Sequence, residues 1–115
     1  MSVRAGIRRQ AAAIVLTLTA VACASTSETR TQNEFFLDVY WTASRQCETQ
    51  HRNLRVERIA TDGGLSVSAY ADSSLENQRF RECYWTGVAA RVERRRTAGL
   101  PVPADVNLHP DIDID

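Results

Sequence analysis

The stretch LRVERIATDGGLSVSAYADSSLENQRFRECYWTGVAARVERRRTAGLP, residues 54–101, decides the fold. Leu54 to Ala60 and Leu65 to Ala71 flank Thr61-Asp62-Gly63-Gly64, and Asp-Gly between two alternating runs is a strong hairpin signal. In the second run Leu65, Val67, Ala69 and Ala71 share one face while Ser66, Ser68 and Tyr70 share the other, which predicts a strand with one wet face. Val56 and Ile59 are out of phase in the first run, so a bulge is expected near the turn. Ser73-x-x-Glu76 then forms a capping-box pattern, and Phe80, Cys83, Tyr84, Gly87 and Val88 follow at helical spacing. Arg94, Arg95 and Arg96 suit the negative end of a helix dipole, Gly99 suits the left-handed position after it, and Pro101 cannot continue it. A helix is predicted from about Ser74 to Ala98.

Upstream, Phe36, Tyr40, Ala43 and Cys47 recur at spacings of four, three and four, one stripe of a helix between Glu34 and about Arg52. The aromatic-rich start FFLDVYW would also suit a strand, because such residues favour pleated surfaces. Helix, hairpin, helix is an α+β order, and it predicts a small αββα domain over residues 34–99 whose helices cover the apolar face of the sheet. Residues 100–115, LPVPADVNLHPDIDID, read as an extended acidic tail, with pairing of Asp111 to Asp115 against a sheet edge as the alternative.

The start of the chain has a different character. Arg4, Arg8 and Arg9 precede an apolar run from Ala11 to Ala22, the anatomy of an export signal over residues 1–22. The uncharged stretch from Ala11 to Ser27 falls short of the roughly 20 apolar residues of a stable span. Its end, Ala20-Val21-Ala22-Cys23, resembles the prokaryotic membrane lipoproteins, although Ala20 stands where Leu is commonest. The resemblance covers the signal and one cysteine. It implies cleavage before Cys23, a diacylglyceryl group on its thiol, and acylation of the new amino terminus, palmitate included. Two or three chains, at about 0.8 kcal/mol per buried methylene, hold a protein at a membrane without spanning it. Ala24 after the cysteine implies sorting to the outer membrane rather than retention at the inner one. A soluble periplasmic protein is the alternative, because the same residues suit ordinary signal cleavage. Ala24 to Asn33 carries no large apolar side chain, so Cys23 and residues 24–33 are expected to form the anchor and a flexible tether.

Across 115 residues, 14 basic and 14 acidic side chains balance, and every basic one is an arginine. That leaves room for one small domain and gives neither the excess charge of a nucleic-acid binder nor the composition of a disordered chain. Loss of residues 1–22 removes three arginines and no acid, leaving 11 arginines against 14 acids, a formal charge of −3. It also leaves Cys47 and Cys83 once Cys23 carries lipid, and an even count in an oxidising compartment predicts a disulfide between them. On a chain-entropy estimate such a crosslink, closing 37 residues, is worth about 3 to 4 kcal/mol.

Several groups are candidates for chemistry. Cys47 and His51, four apart on one helix face, could form an activated thiol or part of a metal site, provided that Cys47 is reduced. His109, Asp111, Asp113 and Asp115 supply metal-type donors, but no glycine loop curls them around an ion, and a solvated tail accounts for them. Arg91, Arg94, Arg95 and Arg96 form a possible interaction patch for acidic partners, with dipole compensation as the plainer account. In the pairs Tyr40-Trp41 and Tyr84-Trp85 one member is expected to fill the core and the other to stay partly exposed. No phosphate loop, nucleophile elbow or zinc motif is present. The expectation is a small lipid-anchored envelope protein without a cofactor, a structural or interaction module with an envelope partner; the alternative is an exported thiol- or metal-dependent enzyme using Cys47 and His51.

Overall fold

The computed structural model describes residues 28–115; the signal segment, Cys23 and residues 24–27 lie outside the described residues. The chain divides into two units, Met1–Gln32 and Asn33–Asp115. Residues 28–33, expected to be part of a flexible tether, are helical, with nearly every side chain exposed. No glycine or proline interrupts the chain between residue 28 and Gln50, so nothing in it stops a helix.

Within the second unit, residues 33–36 lead into a π-helical turn at Leu37–Trp41 and then into α1, Thr42–Gln50. A π turn takes up one extra residue and rotates the inward stripe by one position. Phe35 and Val39 therefore face the core ahead of the shift, and Tyr40, Ala43 and Cys47 beyond it, while Phe36 of the predicted stripe is only half-buried. Strands β1, Leu54–Ile59, and β2, Leu65–Ala69, pair antiparallel with Val56 opposite Val67, and the register shifts between Val56 and Arg58, the expected bulge.

Helix α2 runs over Ser74–Thr97. Its capping hydroxyl, Ser73 Oγ, accepts from the Glu76 N–H at 3.2 Å. Glu76 does not complete the box; its carboxylate accepts from the Asn53 amide at 3.1 Å and ties the helix start to the head of β1. At the other end Gly99 has φ +72°, and the Gly99 and Leu100 N–H groups donate to the carbonyls of Arg96 and Arg95, which satisfies two otherwise orphan acceptors.

The tail does not stay detached. β3, Ile112–Ile114, lies parallel to β2 with Ile112 opposite Leu65 and Ile114 opposite Val67, so the sheet order is β1-β2-β3 and the domain is αββαβ rather than αββα. Three bonds from the helical segments hold the intervening loop: Arg95 Nε donates to the Pro101 carbonyl at 3.1 Å, the Tyr40 hydroxyl to that of Asn107 at 3.1 Å, and Trp85 Nε1 to that of Pro110 at 2.8 Å. Those donors lie up to 67 positions away in sequence, beyond the reach of any local pattern.

Phe80, Tyr84, Val88 and Val92, four apart on α2, join Leu54, Val56, Leu65 and Val67 of the sheet in one buried cluster with Val39, Tyr40, Ala43 and Cys47. Arg55, Ser66 and Asp113 stay exposed on the sheet. Within the hairpin turn Gly63 is buried against the helices, while Thr61 and Asp62 stay exposed. Gly63 has φ +91°, its carbonyl accepts from the Tyr84 hydroxyl at 2.6 Å, and a Cβ on it would lie 2.5 Å from the Tyr40 ring. Gly63→Ala is therefore expected to cost about 2 kcal/mol or more, from the left-handed backbone and the overlap together. Gly99→Ala, where a Cβ meets nothing within 4 Å, should cost nearer 1 kcal/mol. Urea unfolding of the two variants checks the order; equal losses would mean that the tyrosine contact contributes nothing.

Candidate functional site

The first helical segment and α2 pack antiparallel along a seam whose steps repeat every four residues. Cys47 and Cys83 form a disulfide with their Cα atoms 5.9 Å apart. One turn along, Ala43 faces Gly87, where an added Cβ would lie 3.4 Å from the Ala43 Cβ. Two turns further, the Arg95 guanidinium lies 5.5 Å above the Phe35 ring. Small residues at the middle step let the helices approach closely enough for the sulfurs to meet.

Arg95 is 6% exposed and its charge is answered by Asp38, whose Oδ2 accepts from Nη1 at 2.8 Å. Arg91 Nη1 donates to the Asp38 backbone carbonyl at 3.3 Å and stands 3.8 Å from Oδ1. The four-arginine patch thus divides: Arg91 and Arg95 serve the seam, and Arg94 and Arg96 remain exposed. Nothing in sequence singled out Asp38. Two arginines four apart ask for a carboxylate, but only the packing shows which one answers.

The remaining candidates are dispersed. Cys47 is buried in the disulfide and so offers no thiol to His51, whose ring stands edge-on to Phe80 with centroids 5.9 Å apart. His109 lies on the Trp85 ring, centroids 5.1 Å apart. The backbone carbonyls of Asp111 and Asp115 accept from Leu65 and Ala69, so the acids alternate along a strand. Among the described residues no three His, Cys, Asp or Glu side chains come together as a metal site. Of the aromatic pairs, Tyr40 and Tyr84 fill the core, Trp85 is half-buried and Trp41 is 42% exposed.

Sequence reasoning missed a polar groove of about 530 Å³ between the end of α1 and the free side of β1. Arg45, Glu48, Arg52, Arg55, Glu57 and Tyr70 line it. Glu48 is held on both oxygens: Oε1 accepts from Arg45 at 3.0 Å, and Oε2 accepts from the Val56 backbone N–H at 2.7 Å. The Val56 N–H points out from the free edge of β1, so this carboxylate fills the place that an incoming strand's carbonyl would take. Glu57 lies 3.8 Å from Arg55 and accepts from the Ser68 hydroxyl. The Tyr70 hydroxyl, and after it Glu57, raise the affinity of Arg55 for its proton. Arg45 also stacks 5.0 Å above the Trp41 ring. The Arg45 and Glu48 pair, three apart on a helix, was legible in sequence; the arrival of Arg52 and Arg55 beside it was not.

No known protein family, curated protein or solved structure matches the chain. Among the described residues no helix is long and apolar enough to cross a membrane.

If the disulfide holds the seam, Cys47→Ala and Cys83→Ala should each lower stability by about 2 to 5 kcal/mol, and the double variant by no more than either. Additive losses in urea titrations would contradict this. A second prediction concerns pH. Burial, with smaller contributions from Tyr40 and Asp62, pushes the Tyr84 phenol well above its ordinary value, and burial raises Tyr40 as well. The folded state keeps protons that the unfolded chain loses near pH 10, so stability should be unaffected below that pH and fall as pH rises beyond it. Tyr84→Phe should flatten this alkaline loss, while costing about 1 kcal/mol at neutral pH because the Gly63 carbonyl loses its donor. Unfolding midpoints at pH 7, 10 and 11, with Cys23 blocked, test both signs.

Proposed function

We propose that this chain is an exported, lipid-anchored module of the cell envelope that works through contacts of its surface rather than by catalysis. The observation that carries the reading is the Cys47–Cys83 bond. Such bonds persist in oxidising compartments, and pairing these two cysteines leaves Cys23 as the odd thiol, at the lipobox-like end of an apolar segment. Acylation there would tether the domain to a membrane, and Ala24 suits the outer one. The disulfide also accounts for stability in a domain of this size, which is marginal on burial alone.

Arg91 and Arg95 support the same reading, because residues that resemble an anion-binding cluster are spent on Asp38 and Phe35 inside the fold. What remains outward is charged surface interspersed with exposed Leu37, Trp41, Tyr70 and Leu75, suited to a structural or accessory partner of the envelope.

Intact mass spectrometry of the protein isolated from its own membranes, with and without reduction and alkylation, tests this. The expected result is a chain that starts at Cys23 with acyl groups and has two alkylatable thiols only after reduction. A mass without acyl chains would leave a soluble periplasmic protein, and free thiols on Cys47 and Cys83 would overturn the compartment as well.

A further inference from the structure

We propose that the groove between α1 and β1 is a binding site for a phosphoryl or carboxylate group, held jointly by Arg45, Arg52 and Arg55. The inference is independent of the anchor and stands whether or not Cys23 is acylated. Three different parts of the fold supply the guanidiniums: α1 gives Arg45, the turn after it Arg52, and β1 Arg55. Their convergence is not a consequence of composition, since acids outnumber arginines 14 to 11 over residues 23–115.

The charges inside the groove do not cancel. Glu48 and Glu57 answer Arg45 and Arg55, and Arg52 meets no carboxylate among the described residues, so the site keeps one positive charge. The Arg55 and Glu57 pair is exposed and the Arg45 and Glu48 pair partly so, two and three positions apart, and such pairs hold weakly enough to exchange partners. An arginine presents a planar fork of donors that fits a carboxylate or phosphoryl oxygen pair, which is why arginine rather than lysine suits this task. Glu48 already shows what the site accepts, because its carboxylate bridges Arg45 and the Val56 N–H. A ligand oxyanion entering the groove would take over Arg45 and join it to Arg52 and Arg55. Two exposed aromatic rings border the site: Tyr70, 72% exposed, beside Arg55, and Trp41 under Arg45. They give the carbon framework of a bound molecule a face to pack on. The volume of about 530 Å³ suits a small anionic molecule or a single lipid headgroup.

The competing account is that these arginines only guard a sheet edge. Titration of the full chain carrying Cys23→Ser, labelled with ¹⁵N, against inorganic pyrophosphate at constant ionic strength separates the two. The expected result is saturable shifts confined to Arg45, Arg52, Arg55, Tyr70 and the Val56 amide. The double variant Arg52→Gln/Arg55→Gln should bind at least tenfold more weakly, and Arg94→Gln/Arg96→Gln should bind as the parent does. Glu48→Gln, which removes the internal competitor, should bind a few-fold more tightly. Shifts that fail to saturate, or that weaken equally in both double variants, would overturn the site and leave edge protection. A parallel arm uses vesicles of phosphatidylglycerol and phosphatidylcholine. Co-sedimentation that depends on Arg52 and Arg55 and is displaced by pyrophosphate assigns the oxyanion to a headgroup; pyrophosphate binding without it assigns a soluble ligand.

Discussion

The seam between the first helical segment and α2 is the constraint on which the rest of the domain depends. Its steps are chemically different and geometrically linked. Ala43 against Gly87 sets the distance between the helices, Cys47 and Cys83 can bond only at that distance, and Phe35, Arg95 and Asp38 close the far end. The extra residue of the π turn brings these steps into line. Without it, the residues before and after Leu37–Trp41 would face different directions, and the core could not receive both Phe35 and Cys47.

Everything else is assembled against this pair of helices. The hairpin turn, normally the wettest part of a sheet, is pinned under Tyr40 and Tyr84, which is why one of its glycines is buried and cannot carry a side chain. The chain after Gly99 is then drawn back by Arg95, Tyr40 and Trp85, and its last residues complete the sheet beside β2. Parallel pairing of β2 with β3 requires a crossover, and α2 with its trailing loop supplies it.

The arginines show how one residue type is divided among different tasks. Arg95 is desolvated and answered by a carboxylate, a carbonyl and an aromatic ring at once, so its contribution is structural. Arg94 and Arg96, its neighbours in sequence, point to water. Arg45, Arg52 and Arg55 gather where α1 ends and β1 begins, in a groove where the Glu48 carboxylate also blocks the sheet edge. One glutamate thereby protects the strand from unwanted pairing and occupies the place of an anionic ligand.

What the sequence determined by itself was local. The Asp-Gly turn, the alternation of β2, the bulge in β1, the serine cap at Ser73 and the glycine stop at Gly99 are each written within a few residues, because they arise from backbone preferences and nearest-neighbour hydrogen bonds. The pairing of Cys47 with Cys83 was also legible, since each lies on the apolar stripe of one of the two expected helices. Tertiary structure decided the rest. A one-residue phase shift in the first helix, the choice of Asp38 for Arg91 and Arg95, and the recruitment of Ile112–Ile114 as a third strand all depend on groups tens of residues apart. Three prolines made the tail look detached, yet they merely route the chain past donors on the helices. The groove followed the same rule. Its residues are ordinary in sequence, and only the meeting of a helix end with a strand edge brings three arginines to the lining of one groove.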